Sequence, residues 1–159
     1  MKNFLLVIFG LFLLTGSIAC KTEEPTIPDT NVETNENTNS DTMSNQLRIK
    51  IGSKTFMATL VNNPTVTAFK ARLPMTVSMS ELNGNEKLFN FPASLPANAS
   101  NPGNINTGDL MLYGSNVLVL FYKSFPTAYS YTRLGHIDDA SGLEAAAGSG
   151  SVTVTFELN

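Results

Sequence analysis

A single cysteine, Cys20, and a single histidine, His136, carry all the thiol and imidazole chemistry in 159 residues. One cysteine excludes an internal disulfide. One of each removes most ways of building a transition-metal centre, because zinc and its neighbours draw several Cys or His ligands from a chain. No metal and no cofactor is therefore expected. Positive charge is scarce as well: from Gln46 onward eight Lys/Arg stand against seven Asp/Glu, a net of +1. Nucleic acid needs a basic face to neutralise phosphates, so it is not an expected partner. Nor does any apolar run reach the roughly 20 residues of a membrane-spanning helix; the longest, Phe4 to Leu14, covers about half of that.

That short run has another use. With Lys2 before it, it has the form of a signal-peptide h-region, and residues 1–19 are expected to be cleaved. The stretch Thr15-Gly16-Ser17-Ile18-Ala19-Cys20 resembles a bacterial lipobox. Ala19 and Cys20 fit the pattern, while Ser17 stands where Leu is usual. Ser17-x-Ala19 also satisfies the small-x-small rule of ordinary signal peptidase, which cuts the same bond and leaves a free thiol. The position of the only cysteine, where the h-region ends, favours lipidation. Acyl chains contribute roughly 0.8 kcal/mol per buried methylene, so two or more make a lasting attachment. A membrane is thus expected as partner through lipid on Cys20, with the chain exported across the inner membrane and held in the cell envelope. The pair Glu23-Glu24 resembles the surface-export signal of some Gram-negative lipoproteins. It reads equally as the start of a charged linker, and the outer membrane and cell surface stay open as destinations.

Residues 20–45 continue from Cys20 as a tether. Six acidic side chains oppose Lys21, and Ile27, Val32 and Met43 are too few to offset the entropy of ordering. A coil of this length spans about 25–30 Å on average.

The folded domain is expected over 46–158. Leu47-Arg48-Ile49-Lys50-Ile51 alternates apolar and polar residues, and Gly52-Ser53 turns the chain into a second strand, Lys54 to Leu60. Pro64 opens a helix with Val66, Phe69 and Leu73 on one face, and Pro74 ends it. Strands follow at Met75 to Met79 and Glu86 to Phe91 around an Asn83-Gly84 turn, then a long loop over Pro92 to Gly108. Leu110 to Tyr113 and Val117 to Tyr122 form a hairpin whose apolar second arm reads as a central strand. Tyr129 to Ile137, a short helix over Ser141 to Ala147, and Val152 to Phe156 complete the series. A mostly β fold with many short strands and two short helices points to a small barrel.

Several segments are specific enough to suggest a family. Lys54-Thr55-Phe56, Leu73-Pro74-Met75, Leu82 to Lys87, Gly108 to Gly114, Leu120-Phe121-Tyr122 and Tyr129 to Gly135 resemble the bacterial cyclophilin-like domain family from about Leu47 to Glu157. The resemblance implies a closed barrel of about eight strands with a helix near each end. It brings no settled activity. True cyclophilins isomerise X-Pro bonds with an Arg beside a Phe-lined pocket, against a barrier of about 18–20 kcal/mol. Their Arg, Phe, Met, Gln-Gly-Gly-Asp pattern is not reproduced in Met75 to Pro92. Tyr131 also stands where their strand His would be.

The candidate ligand-binding residues are Arg133, Tyr131, Tyr129, Tyr122, Tyr113 and Glu86. A guanidinium stacked on tyrosine can hold a carboxylate or a peptide carbonyl, and Arg133 equally suits a surface strand position paired with Asp or Glu. The tyrosines offer rigid contact area with a polar tip, at a groove or at a core rim. Asn83, Glu86 and Lys87 can form a polar cluster at a barrel mouth, although solvated positions beside the turn are the expectation for Glu86 and Lys87. His136 with Asp138 suggests a catalytic dyad, but no nucleophile-elbow sequence accompanies it. Gly148-Ser149-Gly150 lacks the lysine and spacing of a phosphate loop and reads as a turn. No residue is assigned a catalytic role. The leading expectation is a non-catalytic module for a peptide or small ligand, ahead of a weak peptidyl-prolyl isomerase and of an interaction lipoprotein without a pocket.

Overall fold

The computed structural model describes residues 44–159. The expected signal peptide over 1–19, Cys20 and the expected tether as far as residue 43 lie outside the described residues. Asn45, placed in the tether by its composition, is bonded into the domain: its carbonyl accepts from the Leu60 amide at 2.8 Å, and its Oδ1 accepts from Lys70 Nζ at 2.6 Å.

Ten strands and two helices follow in the described residues: β1 Gln46–Ile51, β2 Lys54–Leu60, α1 Pro64–Lys70, β3 Met75–Leu82, β4 Glu86–Asn90, β5 Asn104–Ile105, β6 Asp109–Tyr113, β7 Val117–Phe121, β8 Phe125–Pro126, β9 Tyr131–Ile137, α2 Leu143–Ala147 and β10 Val152–Leu158. Eight of the strands close an antiparallel barrel in the order β1-β10-β3-β4-β7-β6-β9-β2, and β5 and β8 form a separate two-stranded sheet. The expected barrel of about eight strands with two short helices is the observed fold.

Alternation fills the barrel. Leu47, Ile49 and Ile51 of β1 point inward while Arg48 and Lys50 face out, and Leu110, Leu112, Leu118, Leu120, Val154 and Phe156 join the same core. Each such side chain contributes on the order of 1.5–3 kcal/mol through burial. The helices close opposite mouths, since α1 follows the end of β2 whereas α2 precedes β10, whose start pairs with the end of β3. Asn63 caps α1, accepting from the Val66 amide at 2.8 Å, with Pro64 in the first turn. Phe69 meets Phe156 edge-on with ring centres 6.0 Å apart.

Several boundaries differ from expectation. The helix stops at Lys70, and Leu73 reaches the core from the tightened turn beyond it, where the Leu73 amide bonds the Lys70 carbonyl at 3.0 Å. Strand β3 runs to Leu82. Tyr129 lies outside β9. The long loop contains β5, and β8 lies beyond β7; as two-residue strands they are too short to show a period. This small sheet covers part of the barrel's outer face. Ile105 and Phe125 pack there with Met111, Val119, Phe121 and Tyr131 in a second core. Strand β7 is apolar on both faces because both are covered.

Candidate functional site

The alternation that sends Leu110, Leu112, Leu118 and Leu120 inward turns Tyr113, Val117, Val119 and Tyr131 to the outer face. Beside the second core these residues line a concavity of about 230 Å³, with Leu82, Asn83, Glu86, Leu88 and Tyr129 as its other walls. Its floor crosses five neighbouring strands, β3, β4, β7, β6 and β9. The Asn83-Gly84 turn forms one rim, Asn83 taking the left-handed conformation at φ 55° that asparagine tolerates. Tyr113 lies against Tyr129 with ring centres 6.0 Å apart and perpendicular planes, and against Tyr131 at 5.6 Å.

Among the described residues the exposed large hydrophobic side chains are Leu82 at 41%, Tyr113 at 44% and Tyr129 at 63%, and all three line this concavity. Glu86 stands at its base, 8% exposed. Burial pushes its carboxyl above the usual glutamate range, and the Glu81 charge adds to the effect. Tyr131 is raised by burial and by the nearby Glu86 charge, partly offset by a hydrogen bond with the Thr127 hydroxyl.

Four of the six candidates therefore meet: Glu86, Tyr113, Tyr129 and Tyr131. The other two do not. Arg133 Nη1 bonds Asp109 Oδ1 at 2.9 Å, and its side chain is 44% exposed outside the concavity. The same carboxylate oxygen lies 3.1 Å from His136 Nδ1, and Oδ2 accepts from the Asn106 amide at 2.9 Å. Asp109, fully buried, is thus the partner of His136; Asp138 instead accepts from the Thr59 hydroxyl at 2.8 Å. The dyad of His136 with Asp138, set aside for want of a nucleophile elbow, is not formed either: the carboxylate at His136 is that of Asp109.

Tyr122 belongs to a plug inside one mouth of the barrel. Its hydroxyl donates to Glu81 Oε1 at 2.8 Å, and its ring lies 5.4 Å from Lys87 Nζ. Lys87, fully buried, donates to Glu81 Oε2 and to the carbonyls of Gly148 at 2.9 Å and Gly150 at 2.6 Å. Burial pushes the Glu81 carboxyl up, but hydrogen bonds from Lys87, Tyr122 and the Gly84 amide, with the Lys87 charge, outweigh it and hold the group below its ordinary value. Burial and the bond to Glu81 push the Tyr122 phenol up to about 12. Glu86 and Lys87, expected in solvent beside the turn, are both buried, on opposite faces of β4. Sequence reasoning assigns no role to Asp109 and places the apolar Val117–Phe121 run in the core without an outer hollow above it. The continuous Val117–Phe121 run was the available signal for the floor.

The model of the cyclophilin-like family matches residues 49–157. Among solved structures, the solution structure of the hypothetical protein AF2241 from Archaeoglobus fulgidus superposes with a TM-score of 0.50 at 18% identity. The match covers 74% of this chain and 96% of that one. At that identity the likeness concerns the fold. No curated protein matches the chain.

Proposed function

The chain belongs to the cyclophilin-like family, and from that premise we propose a membrane-anchored envelope lipoprotein whose barrel is a non-catalytic binding module. Its outer-face concavity takes a peptide side chain or a small ligand. One observation carries the reading: the large hydrophobic side chains left exposed among the described residues, Leu82, Tyr113 and Tyr129, converge on a single hollow. Exposed apolar surface gathered in a concave place, with a few polar groups, is the usual form of a ligand site. Three tyrosines supply stiff walls at low entropic cost.

The alternative, weak peptidyl-prolyl isomerisation, needs a cation able to polarise a prolyl amide in that hollow. Arg133 is engaged with Asp109 and does not line it, which favours binding over catalysis. An isomerase assay with a proline-containing tetrapeptide at high protein concentration tests the choice. No acceleration above the thermal rate is expected, while n-butanol, as an apolar probe, is expected to perturb the amide resonances of Tyr113, Val119 and Tyr131. Acceleration that disappears in Arg133→Ala overturns the non-catalytic reading.

A further inference from the structure

Among the described residues few polar residues are buried, and all of these but Glu86 have side-chain partners; the Oδ1 of half-buried Asn85 is likewise a buried acceptor without one. Thr65 donates to the Pro96 carbonyl, Lys70 to Asn45, and Thr132 accepts from the Asn98 amide; Lys87 and Asp109 have the bonds described above. The Glu86 carboxylate has no hydrogen-bond or ion-pair partner among the described residues, yet the residue is more than nine-tenths buried and lines the hollow, where its oxygens keep contact with solvent. An ionised carboxylate in such a place costs free energy unless an opposite charge joins it. The rings of Tyr113, Tyr129 and Tyr131 stand on the same walls, and aromatic faces attract cations. Leu82, Leu88, Val117 and Val119 supply apolar surface beside them. We propose that the hollow binds an alkylammonium group, with Glu86 accepting from its N–H donors, the tyrosine rings around the charge, and the aliphatic walls around its methylene stem. The proposal rests on the concavity being a ligand site and names the chemistry of what enters it. A free amine and a lysine side chain share that chemistry.

Isothermal titration of the full chain with n-butylammonium and with n-butanol, of similar shape but no charge, is the test. The cation is expected to bind about tenfold more tightly or better, from a charge-assisted hydrogen bond and cation–π attraction together. Glu86→Gln, which keeps the shape of the side chain, should remove most of the cation's advantage and leave only the part the tyrosine rings supply. A pH series on the unaltered chain gives a measurement that does not depend on that variant folding. The charged and titratable groups around Glu86 are Glu81 of β3 and the phenols of Tyr113, Tyr129, Tyr131 and Tyr122. Glu81 is held below the usual carboxylate range and Tyr131 and Tyr122 above the usual phenol value. A loss of butylammonium affinity that begins above the ordinary glutamate range therefore reports Glu86. Tighter binding of N-acetyl-lysine methylamide than of butylammonium assigns the source to a peptide, and the reverse order to a free amine; either supports the proposal. Equal binding of butanol and butylammonium overturns the cation while leaving the apolar groove. Binding of neither overturns the groove as well.

Discussion

Glu86 and Lys87 are neighbours in sequence and opposites in situation. Strand alternation sends Lys87 into the barrel and Glu86 to the outer face, so one charge acquires a complete set of partners and the other acquires none among the described residues. Beside an Asn-Gly turn, two charged residues read as solvated. What overrides that expectation is distant in sequence: Gly148 and Gly150 lie 61 and 63 residues from Lys87. Pairings of that range leave no periodic trace in the chain, which is why the tyrosines were legible as candidates and the buried ion pair was not. Lys87→Ala leaves the Glu81 charge without its cation; because Glu81 keeps some solvent contact and its bonds from Tyr122 and the Gly84 amide, the expected cost in urea unfolding is toward the lower end, about 3 kcal/mol, of that for a broken buried pair. The pH dependence follows from Glu81, whose folded-state value is depressed. Its contribution is complete above the unfolded pKa of about 4.3 and is lost as pH falls through the lower folded value. The gap between the unaltered chain and Lys87→Ala should therefore narrow on acidification. A gap that is constant with pH would mean that lost packing, not the lost pair, is being measured.

Barrel strands were readable as elements where they alternate or run apolar over five or more residues, as β1, β3, β7 and β10 do; the seam between β2 and β9 was not. Its ladder joins Ala58 to Ile137, Thr59 to His136 and Leu60 to Gly135, just beyond a register shift in the β6–β9 pairing. A glycine is required at that crossing. A Cβ on Gly135 would come within 2.5 Å of the Thr59 carbonyl oxygen and 3.1 Å of the Leu60 Cα, both backbone atoms of the neighbouring strand. In sequence Gly135 falls inside the expected strand Tyr129 to Ile137 with no local reason for being glycine, and the approach of β2 supplies that reason. Gly135→Ala should force the two strands apart and cost at least the 1–3 kcal/mol or so typical of overpacking. Gly150→Ala, where nothing lies within 4 Å of the added carbon, should change the unfolding midpoint little. Equal effects from the two would argue that backbone entropy, and not the crowding of the seam, governs both.

For the molecule as a whole, charge and hydrophobicity divide the chain into parts with different tasks. The acidic side chains before Gln46 leave a net of −5 over residues 21–45, while the remainder is close to neutral. The barrel could be anticipated from its strands together with the family resemblance. Its one-sided outer face could not, because β5 and β8, two residues each, build the second core that borders the hollow. If lipid on Cys20 holds the chain, the hollow is confined to the neighbourhood of the membrane surface. A binding module so placed gains from confinement, since a ligand or partner at the same surface meets it at raised effective concentration. The anchor itself can be tested directly. Cells expressing the chain and fed radiolabelled palmitate should yield a labelled protein in the membrane fraction, and Cys20→Ser should lose both the label and the fractionation. Cleavage by ordinary signal peptidase at the same bond predicts something else: an unlabelled protein whose Cys20 thiol reacts with maleimide. That result would detach the barrel from the membrane and leave the alkylammonium site to be explained by a soluble ligand alone.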